Sequence, residues 1–133
     1  MYLGAADIPR MADYLGLTPA EFELRHVYRT KKYARLRNPR EKRCAFLSAE
    51  GCSVHSVKPT QCRTFPFWPE IVESKAEWLR TGGWCPGIGA GELIQITAIE
   101  SAGRQMRAAY PHSYGAAAEA GVVEPLTLGA QAR

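Results

Sequence analysis

Four cysteines fall within one stretch of the chain, at Cys44, Cys52, Cys62 and Cys85, and that stretch constrains the molecule more than any other. Its frame runs Cys44-Ala45-Phe46-Leu47, Gly51-Cys52-Ser53-Val54-His55, Lys58-Pro59-Thr60-Gln61-Cys62-Arg63-Thr64-Phe65-Pro66-Phe67-Trp68, and Trp84-Cys85-Pro86-Gly87-Ile88-Gly89-Ala90-Gly91. All three tryptophans lie in the same stretch. Soft thiolate ligands select zinc, copper(I) or iron–sulfur clusters over hard ions. The spacings of 7, 9 and 22 intervening residues form neither the C-x2-C knuckle of zinc ribbons nor the tight ferredoxin run. A thiol oxidoreductase is disfavoured because no C-x-x-C pair is present. The expectation is a shared metal or cluster with Cys44, Cys52, Cys62 and Cys85 as ligands. Buried reduced thiols are the plainer alternative, and disulfides, for which four cysteines allow three pairings, come last.

Neighbouring residues support a sulfur-ligated site. Pro86 removes a backbone N–H and fixes the chain beside Cys85. Phe65, Phe67, Trp68 and Trp84 flank the two downstream thiols, and an apolar shell there would limit solvent access to a bound centre. His55, three residues after Cys52, is a candidate extra ligand, although such a histidine is more often an ordinary hydrogen-bonded side chain. Arg63 has two readings, a hydrogen bond to a cluster sulfur or an anion, and a plain salt bridge. Gly87-x-Gly89-x-Gly91 lacks the preceding strand and full spacing of a phosphate cradle and reads as a tight turn around Cys85.

The chain of 133 residues can bury a modest core. No apolar run is long enough to span a bilayer. The first residues lack a basic segment followed by an apolar one, so a cytoplasmic location with reduced thiols is expected. Net charge is +4, and nine of the seventeen Lys and Arg residues lie in residues 25–43 against one acid, Glu41. That basic stretch is a second candidate function, a nucleic-acid or acidic-partner binding module. A solvated face of unspecific charge is the plainer reading, because no aromatic–glycine nucleic-acid motif accompanies it.

In chain order, Asp7 reads as an N-cap, with Ile8, Met11, Ala12 and Leu15 at helical spacing and Gly16 as the stop. Thr18, Pro19 and Glu21 form a capping box opening a second helix, whose inner stripe is Ala20, Leu24, Val27 and Tyr28. After Arg29 the apolar period fades, and Asn38-Pro39 marks a turn. Cys44 to Cys52 reads as a short hairpin reversing at Ala49-Glu50-Gly51. Pro59 to Cys62 reads as one helical turn, Trp68 to about Trp78 as a helix, and residues 85–91 as a loop. Thr97 and Glu100 read as a second capping box, opening a helix with Ile99, Ala102, Met106 and Tyr110 inward and Pro111 at its end. The expected fold is α+β, a small single domain with a sheet of two or three short strands and metal-organised loops. A cysteine-rich domain over residues 1–110 precedes an Ala/Gly-rich tail over 111–133 that is expected to be poorly ordered.

With those residues in view, the chain resembles the YkgJ-type family of cysteine-rich, zinc- or iron-chelating domains, from about Leu3 to Gly91. The resemblance rests on Cys44-Ala45-Phe46-Leu47, Gly51-Cys52-Ser53-Val54, the run Pro59-Thr60-Gln61-Cys62-Arg63-Thr64-Phe65-Pro66-Phe67, and Cys85-Pro86-Gly87-Ile88-Gly89. It implies metal chelation, by a [4Fe-4S] cluster ahead of zinc; four thiolates leave no open protein position, so a structural or electron-transfer role with a protein or redox partner is expected. No catalytic motif is present, and an iron–sulfur oxidoreductase is implied by the resemblance alone. Family members carry an upstream cluster, roughly C-x3-C-x2-C-C, which this sequence lacks. The expectation is that Met1 is an internal start and that the DNA upstream encodes further cysteines in frame.

Overall fold

The computed structural model describes residues 1–37 and 43–115, which divide between two compact units, Met1–Arg63 and Thr64–Arg133. In the first unit, α1 (Asp7–Tyr14) turns its Ile8, Met11 and Ala12 face into the core and stops where Gly16 takes φ 69°. Burial of that face, at ~25 cal/mol per Å² of apolar surface, drives the packing. α2 (Pro19–His26) starts on the expected capping box: Glu21 N–H donates to the Thr18 hydroxyl at 3.2 Å, and Thr18 N–H donates to the Glu21 carboxylate at 2.8 Å.

The inner stripe of α2 differs from the expected one. Phe22 is fully buried, whereas Leu24 is 75% exposed and Ala20 faces solvent. The helix ends at His26, so Val27 and Tyr28 belong to a strand, β2 (Val27–Arg29), and helical spacing no longer governs them. β3 (Ala34–Leu36) pairs antiparallel with β2 and with β1 (Tyr2–Leu3), in the order β1-β3-β2. The basic stretch thus contains a hairpin that its fading apolar period did not reveal. The expected turn at Asn38-Pro39 lies outside the described residues.

Two residues per strand make the cysteine hairpin: β4 (Leu47–Ser48) and β5 (Gly51–Cys52), with Gly51 at φ 109° closing the reversal. A 3₁₀ turn (His55–Val57) leads into α3 (Thr60–Thr64), which carries Cys62. Phe46 and Val54, on either side of the hairpin, enter the same core as Met11 and Phe22.

The second unit is helical among its described residues. The segment expected as one helix is two, α4 (Pro69–Val72) and α5 (Lys75–Gly82), because the Ser74 hydroxyl accepts from Glu77 N–H and starts a new helix. α6 (Ile96–Ala109) buries Ile99, Ala102 and Met106, as its period requires, and Tyr110 follows inward. Its cap is Gln95, with no side-chain bond, so Thr97 sits inside the first turn and not at the boundary. α7 (Pro111–Tyr114) uses Pro111 at its first position and ends on Tyr114, whose hydroxyl donates to Glu70 at 2.6 Å. Burial and the Glu70 carboxylate raise the Tyr114 phenol above its ordinary range, so it stays a donor. Most of the expected tail, residues 116–133, lies outside the described residues. Helices and small antiparallel sheets give an α+β chain, and no helix among the described residues is long and apolar enough to cross a membrane.

Candidate metal centre

Three of the four expected ligands come from separate pieces of the first unit. Cys44 lies just before β4 and is exposed, and its carbonyl accepts from Leu47 N–H at 3.0 Å. Cys52 ends β5, directly opposite Leu47 and partly buried against the core. Cys62 stands on α3, half-buried. The hairpin is what returns Cys52 towards Cys44: Ser53 N–H and its hydroxyl both donate to the Phe46 carbonyl, at 2.8 and 3.1 Å.

The helix bearing Cys62 is fixed by a buried carboxylate that sequence reasoning misread. Asp7 is fully buried as the first residue of α1, and Ala6 is the helix boundary. One oxygen of Asp7 accepts from Gly4 N–H at 2.7 Å. The other accepts from Thr60 N–H at 3.1 Å, from the Thr60 hydroxyl at 3.0 Å and from Arg10 at 2.6 Å. Arg10 also donates to the Lys58 carbonyl at 3.1 Å. The capping pattern around Asp7 gave the wrong role, because the partner that defines it lies 53 positions away.

Cys62 responds to its burial first and to the other two thiols of the first unit second. Burial pushes the Cys62 thiol up to about 11, and repulsion from Cys44 and Cys52 adds to the rise, while Lys58 opposes it. A buried thiol whose neighbours raise its proton affinity further is a donor that a cation would relieve, since metal binding requires and rewards its deprotonation. The fit is one of chemistry: among the described residues no three Cys, His, Asp or Glu side chains stand close enough to hold an ion as they lie. None of the four cysteines forms a disulfide.

The remaining candidates have other engagements. His55 is exposed, with Nε2 3.3 Å from Lys58 Nζ. Arg63 donates to the Thr60 hydroxyl at 3.4 Å. In the second unit, Cys85 opens the expected turn, with Ile88 N–H donating to its carbonyl at 3.2 Å and Gly89 and Gly91 at φ 84° and 83°. Here the aromatics pack on one another: Phe65 stacks on Trp84 at 5.4 Å and meets the edge of Trp68 at 5.2 Å. Phe67 lies parallel to Trp78, and both line a cavity of about 410 Å³ that Cys85 also borders.

Thiols carried by a hairpin, a braced helix and a glycine-rich turn make this a cysteine-rich domain. Residues 1–86 match the CxxCxxCC family, described as a "Putative zinc- or iron-chelating domain", and the chain belongs to that family. The doublet that names the family is not in this sequence, whose most closely spaced cysteines are Cys44 and Cys52. No solved structure matches the chain.

Proposed function

We propose that this protein chelates a thiolate-bound metal centre, with Cys44, Cys52 and Cys62 as the ligands supplied by the first unit. The observation that carries this reading is the setting of Cys62, on a helix braced within the unit that holds the Cys44–Cys52 hairpin, where burial raises its proton affinity and Cys44 and Cys52 raise it further. Family membership supports zinc or iron as the metal. Within that choice an iron–sulfur cluster, [4Fe-4S], is favoured over zinc, on the family resemblance and the Cys85-Pro86 and aromatic setting. Cys85 enters the proposal as the fourth thiolate on its sequence context alone, and a reducing, cytoplasmic setting would keep all four available.

When bound, an iron–sulfur centre supplies one-electron chemistry and zinc supplies ordering energy. The chain's own contribution is to hold the donors. Asp7 and Thr60 fix the helix of Cys62, the Ser53–Phe46 bonds fix the hairpin, and Lys58 places a positive charge where thiolates form. A structural or electron-transfer role fits thiolates better than hydrolysis, which needs an open coordination position.

Anaerobic purification followed by elemental analysis and a visible spectrum tests the reading. Brown protein with iron and sulfide supports the cluster, and colourless protein with stoichiometric zinc supports the alternative. Colourless, metal-free protein with four titratable thiols, unable to take up either metal, would sink both.

A further inference from the structure

The solvent face of the three-stranded sheet carries a row of side chains that the metal centre does not use. Directly opposed residues in an antiparallel pair share a face. The register Tyr2↔Arg35↔Tyr28 therefore sets an aromatic, a guanidinium and an aromatic in one line across β1, β3 and β2. The other face, with Leu3, Ala34, Val27 and Leu36, is buried in the core. Tyr2 is 44% exposed and Tyr28 51%, and the Arg35 guanidinium lies 4.8 Å from the centre of the Tyr28 ring. Tyr33 extends the aromatic surface, 38% exposed with its ring 5.4 Å from that of Tyr2. The hairpin tip beside it carries Lys31 and Lys32, both exposed.

We propose that this face binds single-stranded nucleic acid, with bases stacking on Tyr2, Tyr28 and Tyr33 and phosphates held by Arg35, Lys31 and Lys32. Charge complementarity argues for a polyanion, since residues 25–43 concentrate nine cations against one acid in a chain of net charge +4. The rings decide which polyanion. An acidic protein surface needs the cations alone, whereas unpaired bases offer flat faces to exposed aromatics, and stacking plus a basic track is how single strands are held. Arg29 is left out of the set because Glu23 engages it at 2.9 Å. The linear sequence hid the platform, because Tyr2 and Tyr28 come from strands far apart in the chain and join only through β3.

The test is fluorescence anisotropy of the full-length protein with labelled oligo-dT and oligo-rU of about 12 nucleotides, within the range of single-strand sites. Binding at low salt should weaken linearly in log–log terms as salt rises, and Arg35→Ala should shallow the slope by about 0.7. Tyr28→Ala should lower affinity about tenfold, ~1.4 kcal/mol, and leave the slope unchanged. Unchanged melting curves would show that both variants fold. Binding of either strand supports the proposal. The proposal is overturned by no anisotropy change at low salt, by poly-glutamate competing as well as oligonucleotide does, or by Tyr28→Ala and Tyr33→Ala both binding like the parent.

Discussion

Thr60 donates both its backbone N–H and its hydroxyl to one oxygen of Asp7, at 3.1 and 3.0 Å, across 53 positions of sequence. That double bond of donors, with Arg10 on the same oxygen at 2.6 Å, ties the helix of Cys62 to the start of α1. Removing one partner of a buried charged pair leaves the other without compensation. Because the Arg10 side chain keeps 30% of its exposure, the expected cost is below the fully buried case. Asp7→Asn should destabilise the protein by about 2–3 kcal/mol, and Thr60→Val, which loses the hydroxyl alone, by about 1 kcal/mol. Urea unfolding measures both. An Asp7→Asn midpoint equal to the parent's would show that Asp7 braces nothing.

Two local signals in the sequence carried through to the structure. The Thr18–Glu21 box needs only three residues of chain, and the structure forms it as written. The face of α6 follows from its own period, since Ile99, Ala102 and Met106 meet the core whatever else the chain does. Two other local readings failed, at Thr97, which lies inside the first turn, and at Ser74, which starts a second helix. The remaining failures occur where a distant partner decides. Asp7 has the look of a cap, yet Thr60 and Arg10 claim its carboxylate. Tyr28 has helical spacing from Leu24, yet pairing with Arg35 draws it into a strand. The family's metal-chelating character was legible in the cysteines and their flanking motifs, whereas the bracing that positions Cys62 was not, because no sequence pattern announces a bond over 53 positions.

The two capping boxes read from the sequence make a controlled pair. At Thr18 the hydroxyl accepts Glu21 N–H, one of the helix's orphan donors, so Thr18→Ala should cost about 1 kcal/mol. At Thr97 the side chain is exposed and the helix boundary lies at Gln95. Thr97→Ala should change stability by less than about 0.5 kcal/mol, as ordinary surface substitutions do. Thermal or urea melts on both variants check the pair. Equal losses would contradict the placement of one boundary or the other.

His26 gives the first unit a pH dependence. Its ring lies between those of Phe22 and Phe46, at 5.3 and 5.1 Å, and burial there depresses its proton affinity, with Arg25 and Arg37 adding repulsion. A histidine whose folded-state pKa is below its unfolded value of 6.5 favours the folded state above that pH. Stability is therefore fully present above 6.5 and falls as the pH drops through the lower folded value. His26→Phe, which keeps a ring between the two phenylalanines, should flatten the profile between pH 7 and 5. Chemical melts at several pH values measure it, and a parallel slope in the variant would assign the acid loss to other groups.

Thiol reactivity distinguishes the cysteines one by one. The attacking species in alkylation is the thiolate, so rates follow its fraction and its access. At pH 8 a thiol titrating at about 11, as Cys62 does, holds roughly a hundredth of the thiolate of one at 9.0. Cys62 is also half-buried on its helix, whereas Cys44 is exposed ahead of its hairpin. In metal-free protein, iodoacetamide labelling resolved by peptide mass spectrometry should therefore modify Cys44 first and Cys62 last, by a wide margin. A Cys62 that labels as fast as Cys44 would mean that its burial and its neighbours' repulsion are absent in solution. Under the proposed centre, metal loading should then protect Cys44, Cys52 and Cys62 together. Cys85 reports separately: protection in step with the other three makes it the fourth ligand, and continued labelling leaves the centre to the first unit's three thiolates. Protection of Cys85 alone would remove the three-thiol set from the chelation chemistry altogether.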